Sequence, residues 1–214
     1  MSKLTRRAIS FLVLLLLVSA EQASAQGLSP YAGLGTATDT AVTSAGCASH
    51  FALDVITGAC EPGPSIHGLF GVLGADFMLM PHFGINGEYA FHFTRDNYLP
   101  TGGIKYRPAF FDVNVIYQPF FFGTRIAPIA EAGVGVARVS LYFDPQTCPD
   151  PTTCPGSGDY FQLHGAVGVK LYVKPNIFIK PQVDLHWARN LNQQFGRDVV
   201  PQYTISVGYS FGEH

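Results

Sequence analysis

The segment 199–211, close to the end of the chain, alternates residue by residue between two kinds of side chain. One set is bulky and apolar and comprises Tyr203, Ile205, Val207, Tyr209 and Phe211. The other set is small or polar and comprises Gln202, Thr204, Ser206, Gly208 and Ser210. Because successive side chains of a β-strand point to opposite faces, the segment predicts a strand with one apolar and one hydrophilic face.

The same alternation recurs along the rest of the chain. It occupies eight stretches, which are 29–38, 67–80, 83–94, 104–117, 125–142, 160–173, 177–187 and 199–211. The connections between them alternate long and short, the layout of an up-and-down barrel with short periplasmic turns and long external loops. Each stretch reaches the roughly 9–11 residues that a tilted strand needs to cross a bilayer.

Charged residues within the stretches share the parity of the small polar residues, which means that they fall on the same face of each strand. They are Asp76, Glu88, Asp112, Glu131, Lys170, Lys180 and Asp184. A soluble sheet would fit that parity equally well, but side-chain size separates the two cases. The apolar face is bulky throughout, whereas the polar face is rich in Gly, Ala and Ser, so we expect small side chains in a narrow wet lumen and large ones against lipid. The prediction is an all-β fold, an eight-stranded antiparallel up-and-down transmembrane β-barrel.

The N-terminal residues have the pattern of an export signal. A positive start (Lys3, Arg6, Arg7) precedes an apolar run over 11–18 and a small-residue site, Ala23-Ser24-Ala25, so we expect a cleavable signal peptide over 1–25. Residues 26–214 then form one barrel domain. Charged residues make up 13% of the chain, against about 25% in typical soluble domains. The net charge of −2 gives no electrostatic footprint for nucleic-acid binding.

Four cysteines fall in two close pairs, Cys47 with Cys60 and Cys148 with Cys154. Both pairs lie in Pro/Gly/Ser/Thr-rich segments of an exported chain, which indicates disulfide-bridged external loops. Pairing within each couple closes the shortest loops, although two other connectivities remain open.

Six of the lumen charges lie within several residues of the short turns, so we expect them to form one layer in the lower half of the barrel. They are Asp76, Glu88, Asp112, Glu131, Lys170 and Lys180. Buried charges must be paired or hydrated, which predicts a salt-bridge network that plugs the lumen with ordered water. The alternative is a narrow pore for ions or small solutes. A three-residue turn at 174–176 would pair Val173 with Ile177 and set Lys170 opposite Lys180, so carboxylates such as Glu131 should lie beside the lysines.

Three histidines, His92, His164 and His186, have inward parity. The same turn would place His164 opposite His186, and such a pair could hold a metal. Only two ligands are visible, so we expect hydrogen-bonded histidines, no metal and no cofactor. An enzyme acting on lipid A would need an outward Ser–His pair near the outer leaflet. Ser140 is outward, but the three histidines point in, so we expect no catalytic residues.

Aromatic residues near the strand ends predict the two membrane girdles. They are Tyr117, Trp187, Tyr209 and Phe211.

Four short motifs give the chain a family resemblance. The segments 131–136 (EAGVGV), 165–170 (GAVGVK), 174–176 (KPN) and 207–211 (VGYSF) resemble the OmpA-like/OmpX-like outer-membrane β-barrel family. The resemblance covers the mature chain and implies the outer membrane of a Gram-negative-type bacterium. It also implies a last strand that is read at a terminal aromatic, here Phe211, by the outer-membrane assembly machinery.

The function expected from these features is structural or surface-interacting. A charge-plugged monomer would contact outer-membrane lipid and lipopolysaccharide and display external loops to a surface partner, with no nucleic acid involved.

Overall fold

The computed structural model describes residues 27–39, 64–98, 104–120, 123, 125–143, 156–193, 195 and 197–212. The strands within these ranges are β1 Gly27–Thr38, β2 His67–Met78, β3 Phe83–His92, β4 Asp96–Asn97, β5 Ile104–Tyr117, β6 Ile126–Phe143, β7 Ser157–Lys174, β8 Ile177–Ala188 and β9 Val199–Tyr209. A single turn of 3-10 helix covers Leu191–Gln193. No helix among the described residues is both long enough and apolar enough to cross a membrane.

Eight of these strands close into a barrel. Each is antiparallel to its neighbours, with β3 pairing directly to β5 and β1 pairing to both β2 and β9. The closing seam continues past the strand ends, where Leu28 and Phe211 exchange backbone hydrogen bonds of 3.0 and 2.7 Å. The eight-stranded antiparallel barrel predicted from the alternation is therefore confirmed.

Two local predictions are wrong. The limits of the stretches 83–94 and 104–117 predict that residues 95–103 form a long loop, yet Asp96 and Asn97 form β4 and pair with Tyr106 and Lys105. At the 174–176 turn it is Lys174, not Val173, that pairs with Ile177, with a register shift between Tyr172 and Lys174. A bulge absorbs one extra residue at that point, so the inward parity farther along the two strands is preserved.

The outward face is an apolar band. Val113 and Val167 are each 62% exposed, and Trp187 is 41% exposed among many other large apolar side chains. A soluble monomer rarely shows so much contiguous apolar surface, whereas a membrane barrel requires it.

The expectation of small side chains throughout the lumen is wrong. At the end with the long connections, Phe70, Tyr106 and Phe110 fill the interior, and at the short-turn end Tyr172 and Phe178 do so. All five are at most 7% exposed. Large buried rings therefore lie at both ends of the polar centre.

Glycines in register with aromatic residues make room for some of these rings. Tyr31 pairs with Gly74, and Phe178 pairs with Gly208. A Cβ at either glycine would run into the partner ring. The interior of an eight-stranded barrel is only wide enough for side chains to fill, so a large residue needs a small neighbour.

Candidate site in the barrel lumen

Two lysines and two carboxylates form the first of two polar groups in the lumen. We call Asp76, Glu131, Lys170 and Lys180 the lysine cluster. Lys170 Nζ lies 2.6 Å from Asp76 Oδ2, and Lys180 Nζ lies 2.7 Å from Glu131 Oε1 and 3.6 Å from Asp76 Oδ1. All four side chains are almost fully buried. Each lysine therefore has a carboxylate partner, which a buried cation requires.

Tyr31 and Glu88 lie beside the lysine cluster. The Tyr31 hydroxyl donates to Glu88 Oε2 at 2.7 Å, and the Lys180 ammonium lies 4.2 Å from the centre of the Tyr31 ring. Asn86 donates through Nδ2 to both Tyr31 Oη and Asp76 Oδ1, at 2.8 and 2.6 Å. The carboxylates are thus held by neutral donors as well as by lysines.

The second polar group lies nearer the long connections. We call Asp112, His164, Asp184 and His186 the histidine cluster. The two histidines face each other in the β7–β8 register and stack with ring centres 4.7 Å apart. His164 Nε2 lies 3.3 Å from Asp184 Oδ1, and His186 Nδ1 lies 3.6 Å from Asp112 Oδ2.

Amide side chains support the histidine cluster. Gln162 Nε2 donates to Asp112 Oδ1 at 2.6 Å, and Gln182 Nε2 donates to Asp184 Oδ1 at 2.5 Å. Gln202 Oε1 lies 3.0 Å from His186 Nε2. Among the described residues, the carboxylates of this cluster therefore contact amides, imidazoles and the Thr204 hydroxyl, which donates to Asp184 Oδ2 at 3.4 Å, but no lysine.

Two asparagines connect the clusters. Asn86, already bonded to Asp76, accepts through Oδ1 from Asn114 Nδ2 at 2.9 Å, and Asn114 Oδ1 lies 2.9 Å from His164 Nδ1. A continuous hydrogen-bonded chain therefore runs from the lysine cluster to the histidine cluster.

The structure places all seven charged residues singled out in the sequence inside the lumen. The six expected in one layer are divided, because Asp112 lies with the histidines while the other five lie in or beside the lysine cluster. Asp112 and Asp184 belong with the histidines, because the stagger of the strands sets them farther from the short turns. The sequence predicted no role in the lumen site for Tyr31, Asn86, Asn114, Gln162 or Gln202. The alternation that places the charged residues inside the barrel also places these five side chains there.

Charge is unevenly distributed between the clusters. The buried strand residues include five carboxylates, which are Asp76, Glu88, Asp112, Glu131 and Asp184, but only two lysines. Both lysines belong to the lysine cluster, so the histidine cluster has two carboxylates and no permanently charged base.

A column of stacked rings continues from the histidine cluster towards the long connections. Phe110 stacks on His186 at 4.2 Å, and Phe70 follows at 5.9 Å from Phe110. Above them Tyr98 and Phe195, both from connecting segments, contact Tyr106 with ring centres 5.8 and 5.5 Å away. Residues from the connections thus cover the mouth of the barrel.

His92, the third inward histidine, lies apart from the histidine cluster. Its Nδ1 lies 2.9 Å from Thr94 O and 3.6 Å from Asp96 Oδ2, near the mouth. The girdle residues Tyr117, Trp187, Tyr209 and Phe211 are all exposed at strand ends. Cys47, Cys60, Cys148 and Cys154 lie outside the described residues, so their pairing stays a prediction.

Ser140 lies on the outer side of β6, on the face opposite to the lumen histidines. His67, which was not singled out from the sequence, is an exposed histidine at the start of β2 whose Nδ1 lies 2.8 Å from Ser65 Oγ and 3.1 Å from Ser65 O. A carbonyl oxygen only accepts, so Nδ1 must bear its proton to bond Ser65 O. In that state it cannot take a proton from the Ser65 hydroxyl, which is what a catalytic Ser–His pair needs.

A closed barrel with an apolar outer band, aromatic strand ends and a charged centre defines a transmembrane β-barrel of the outer-membrane class. Residues 9–211 match the model of the outer membrane protein beta-barrel domain, and the chain belongs to this family. It is a protein of the outer membrane, and its resemblance to OmpA-like/OmpX-like barrels is confirmed.

Solved structures share this fold at low sequence identity. Ail, the attachment invasion locus protein of Yersinia pestis, solved with the heparin analogue sucrose octasulfate, is 12% identical, with 87% of this chain and 99% of that chain covered and a TM-score of 0.52. Neisserial surface protein A is 12% identical, with 88% and 96% covered and a TM-score of 0.50. A major outer membrane protein of Thermus thermophilus is 12% identical, with 86% and 99% covered and a TM-score of 0.50. No curated protein sequence matches the chain.

Proposed function

We propose that this protein is a non-conducting, non-catalytic outer-membrane barrel that stabilises the envelope and presents its long connections at the cell surface. The observation that supports this best is the filled lumen. Two hydrogen-bonded clusters occupy its centre, and buried rings close both ends.

The contacts at the mouth support surface presentation. In this family the long connections face outward and the short turns face the periplasm. Phe195 and Leu191, which follow β8, are 3% and 0% exposed, so part of this connection packs back onto the barrel. A rigid base of this kind suits loops that contact a partner, because less entropy is lost when they bind.

Planar-bilayer recording tests the closed lumen. The purified mature barrel should give no steady openings, and neither Glu131→Gln nor Lys170→Met should create a defined conductance level. Steady openings of the unmodified protein that change size in either variant would instead establish the narrow pore.

Loss of the gene tests the envelope role. We expect increased entry of a bulky apolar dye, restored by the intact gene. A gene in which residues 41–62 are replaced by a short Gly/Ser linker should restore the barrier equally well while abolishing any surface-binding phenotype. Unchanged dye entry after deletion would contradict envelope stabilisation, and a lipid A mass shift on expression would contradict the non-catalytic role.

The export and assembly features stay part of the proposal. Cleavage after Ala25 would release a mature monomer. The segment presented to the assembly machinery would be β9 together with Phe211, which follows it and forms a bridge with Leu28.

A further inference from the structure

Three buried side chains converge in the lumen with the composition of a metal site. Asp112, His164 and His186 each offer one potential ligand atom, and these atoms all lie within 4.8 Å of one another. They come from three different strands, β5, β7 and β8, and each is at most 4% exposed.

The hydrogen bonds of His186 leave an acceptor facing an acceptor. Gln202 Oε1 can only accept, so His186 Nε2 bears the proton and donates to it at 3.0 Å. Nδ1 then presents a lone pair to Asp112 Oδ2, 3.6 Å away. Neither atom has a hydrogen-bond partner among the described residues. Two buried electron-rich atoms in this arrangement need positive charge between them.

His164 also lies between an amide oxygen and a carboxylate, but here both contacts are within hydrogen-bond distance. Asn114 donates through Nδ2 to Asn86, which turns its Oδ1 towards His164 Nδ1 at 2.9 Å. The other ring nitrogen faces Asp184 Oδ1 at 3.3 Å. Each histidine is therefore held by an amide oxygen on one side and faces a carboxylate on the other, the pattern in which amide oxygens orient metal-ligating histidines.

The charge distribution favours a cation at the same place. Both buried lysines serve the lysine cluster, while Asp112 and Asp184 have none. A divalent ion would bring two positive charges to the part of the lumen that lacks them. Two imidazoles and one carboxylate are the ligands that suit Zn²⁺, with a fourth position for water or Asp184.

We propose that the histidine cluster binds one divalent transition-metal ion of the Zn²⁺ class through Asp112 Oδ2, His186 Nδ1 and a ring nitrogen of His164. The ion joins β5 to β7 and β8 across the lumen and has a structural role. Because Phe110 stacks on His186 and the mouth is covered, the ion enters while the chain folds and is then retained. This site is additional to the proposed surface function and does not depend on it.

Metal content after folding tests the site. The mature chain is folded from urea into lipid vesicles with Zn²⁺ present, washed with chelator and analysed by mass spectrometry for metal per folded barrel. We expect about one ion per barrel for the unaltered chain and a content lower by about tenfold or more for His186→Gln and for Asp112→Asn. His92→Gln, which removes a lumen histidine outside the cluster, should retain the ion.

Two further measurements keep the result independent of folding yield. Folding with Co²⁺ should give the visible absorption bands of a tetrahedral site in the unaltered chain and in His92→Gln only. Zn²⁺ present during folding should raise the thermal midpoint of the unaltered barrel and leave that of His186→Gln unchanged. A chelator-washed, folded barrel without metal would overturn the proposal and assign a proton to the Asp112–His186 gap. Metal content that is equal in all variants would place the ion on surface histidines and overturn it as well.

Discussion

The lysine cluster and the histidine cluster share one lumen, one inward parity and one connecting hydrogen-bonded chain, yet they balance charge differently. In the first, ammonium groups lie 2.6 and 2.7 Å from carboxylates. In the second, carboxylates face imidazole rings at 3.3 and 3.6 Å. Lysine is cationic at any physiological pH, whereas an imidazole is charged only when it binds a proton and can equally bind a metal.

The difference separates two roles that a buried charge can have. The lysine cluster has its compensating charge built into the chain, so it holds β2, β6, β7 and β8 together without an external ligand. In the histidine cluster the proposed metal ion, rather than a lysine, supplies the positive charge that balances the carboxylates. The following experiments test this distinction by measuring how substitutions in each cluster change the free energy of unfolding.

Removing a lysine should have the largest effect. Lys180→Met leaves Glu131 without its ion-pair partner and should lower the free energy of unfolding by about 3–5 kcal/mol. Urea unfolding in lipid vesicles, followed by the fluorescence of Trp187, the single tryptophan, measures the change. Lys105→Met removes an equal charge from an exposed position on β5 and is the matched control. Equal losses in the two variants would show that the lysine cluster adds no specific stability.

A double variant measures how strongly Lys180 and Glu131 depend on each other. Lys180→Met combined with Glu131→Gln removes the charge and its partner together, so the loss should be smaller than the sum of the single losses by about 1–3 kcal/mol. The same unfolding assay gives the coupling. Additive losses would indicate that the two residues act independently.

Breaking the asparagine link between the clusters should lower the free energy of unfolding by less than removing a lysine does. A Cβ at Gly133 would collide with the Val113 carbonyl oxygen and the Asn114 side chain, so Gly133→Ala should displace Asn114 and destabilise the barrel by about 1–3 kcal/mol. Gly87→Ala is the control, since a Cβ there meets no atom within 4 Å. A stability of Gly133→Ala equal to that of Gly87→Ala would contradict the tight packing at this link.

The smallest expected effect is an increase, not a decrease, in the free energy of unfolding. In chelator, Asp112→Asn removes an uncompensated negative charge and can turn an amide donor towards His186 Nδ1. We expect a gain of about 1 kcal/mol in the free energy of unfolding. Asp76→Asn, the matched change in the lysine cluster, should destabilise, because it leaves Lys170 without its nearest carboxylate. Losses of similar size in both variants would remove the distinction between the clusters.

The sequence predicted the strands and their faces because alternation is a local property. β5 runs over Ile104–Tyr117, the limits expected from the pattern, and the inward parity of Glu88, Glu131 and Lys170 follows from counting along one strand. Such counting needs no knowledge of any other strand.

Contacts across the lumen could not be derived in this way. Asp76 on β2 contacts Lys170 on β7, although these strands are not neighbours in the sheet. Which inward residues meet depends on tilt and stagger, and these are properties of the whole barrel. The rings of Phe70 and Phe178 show the same limit, because their inward parity was visible but the glycine that admits Phe178 is found only from the register.

The seam between β1 and β9 joins the beginning of the described chain to its end, with Tyr31 opposite Gly208 and Leu28 bridged to Phe211. A polypeptide that is cut short before β9 therefore leaves two strands with unsatisfied backbone groups, which lipid cannot hydrate. Only a fully translated product can complete the cylinder. Insertion of a truncated barrel into lipid therefore carries the energetic penalty of two open edges, and the complete chain does not.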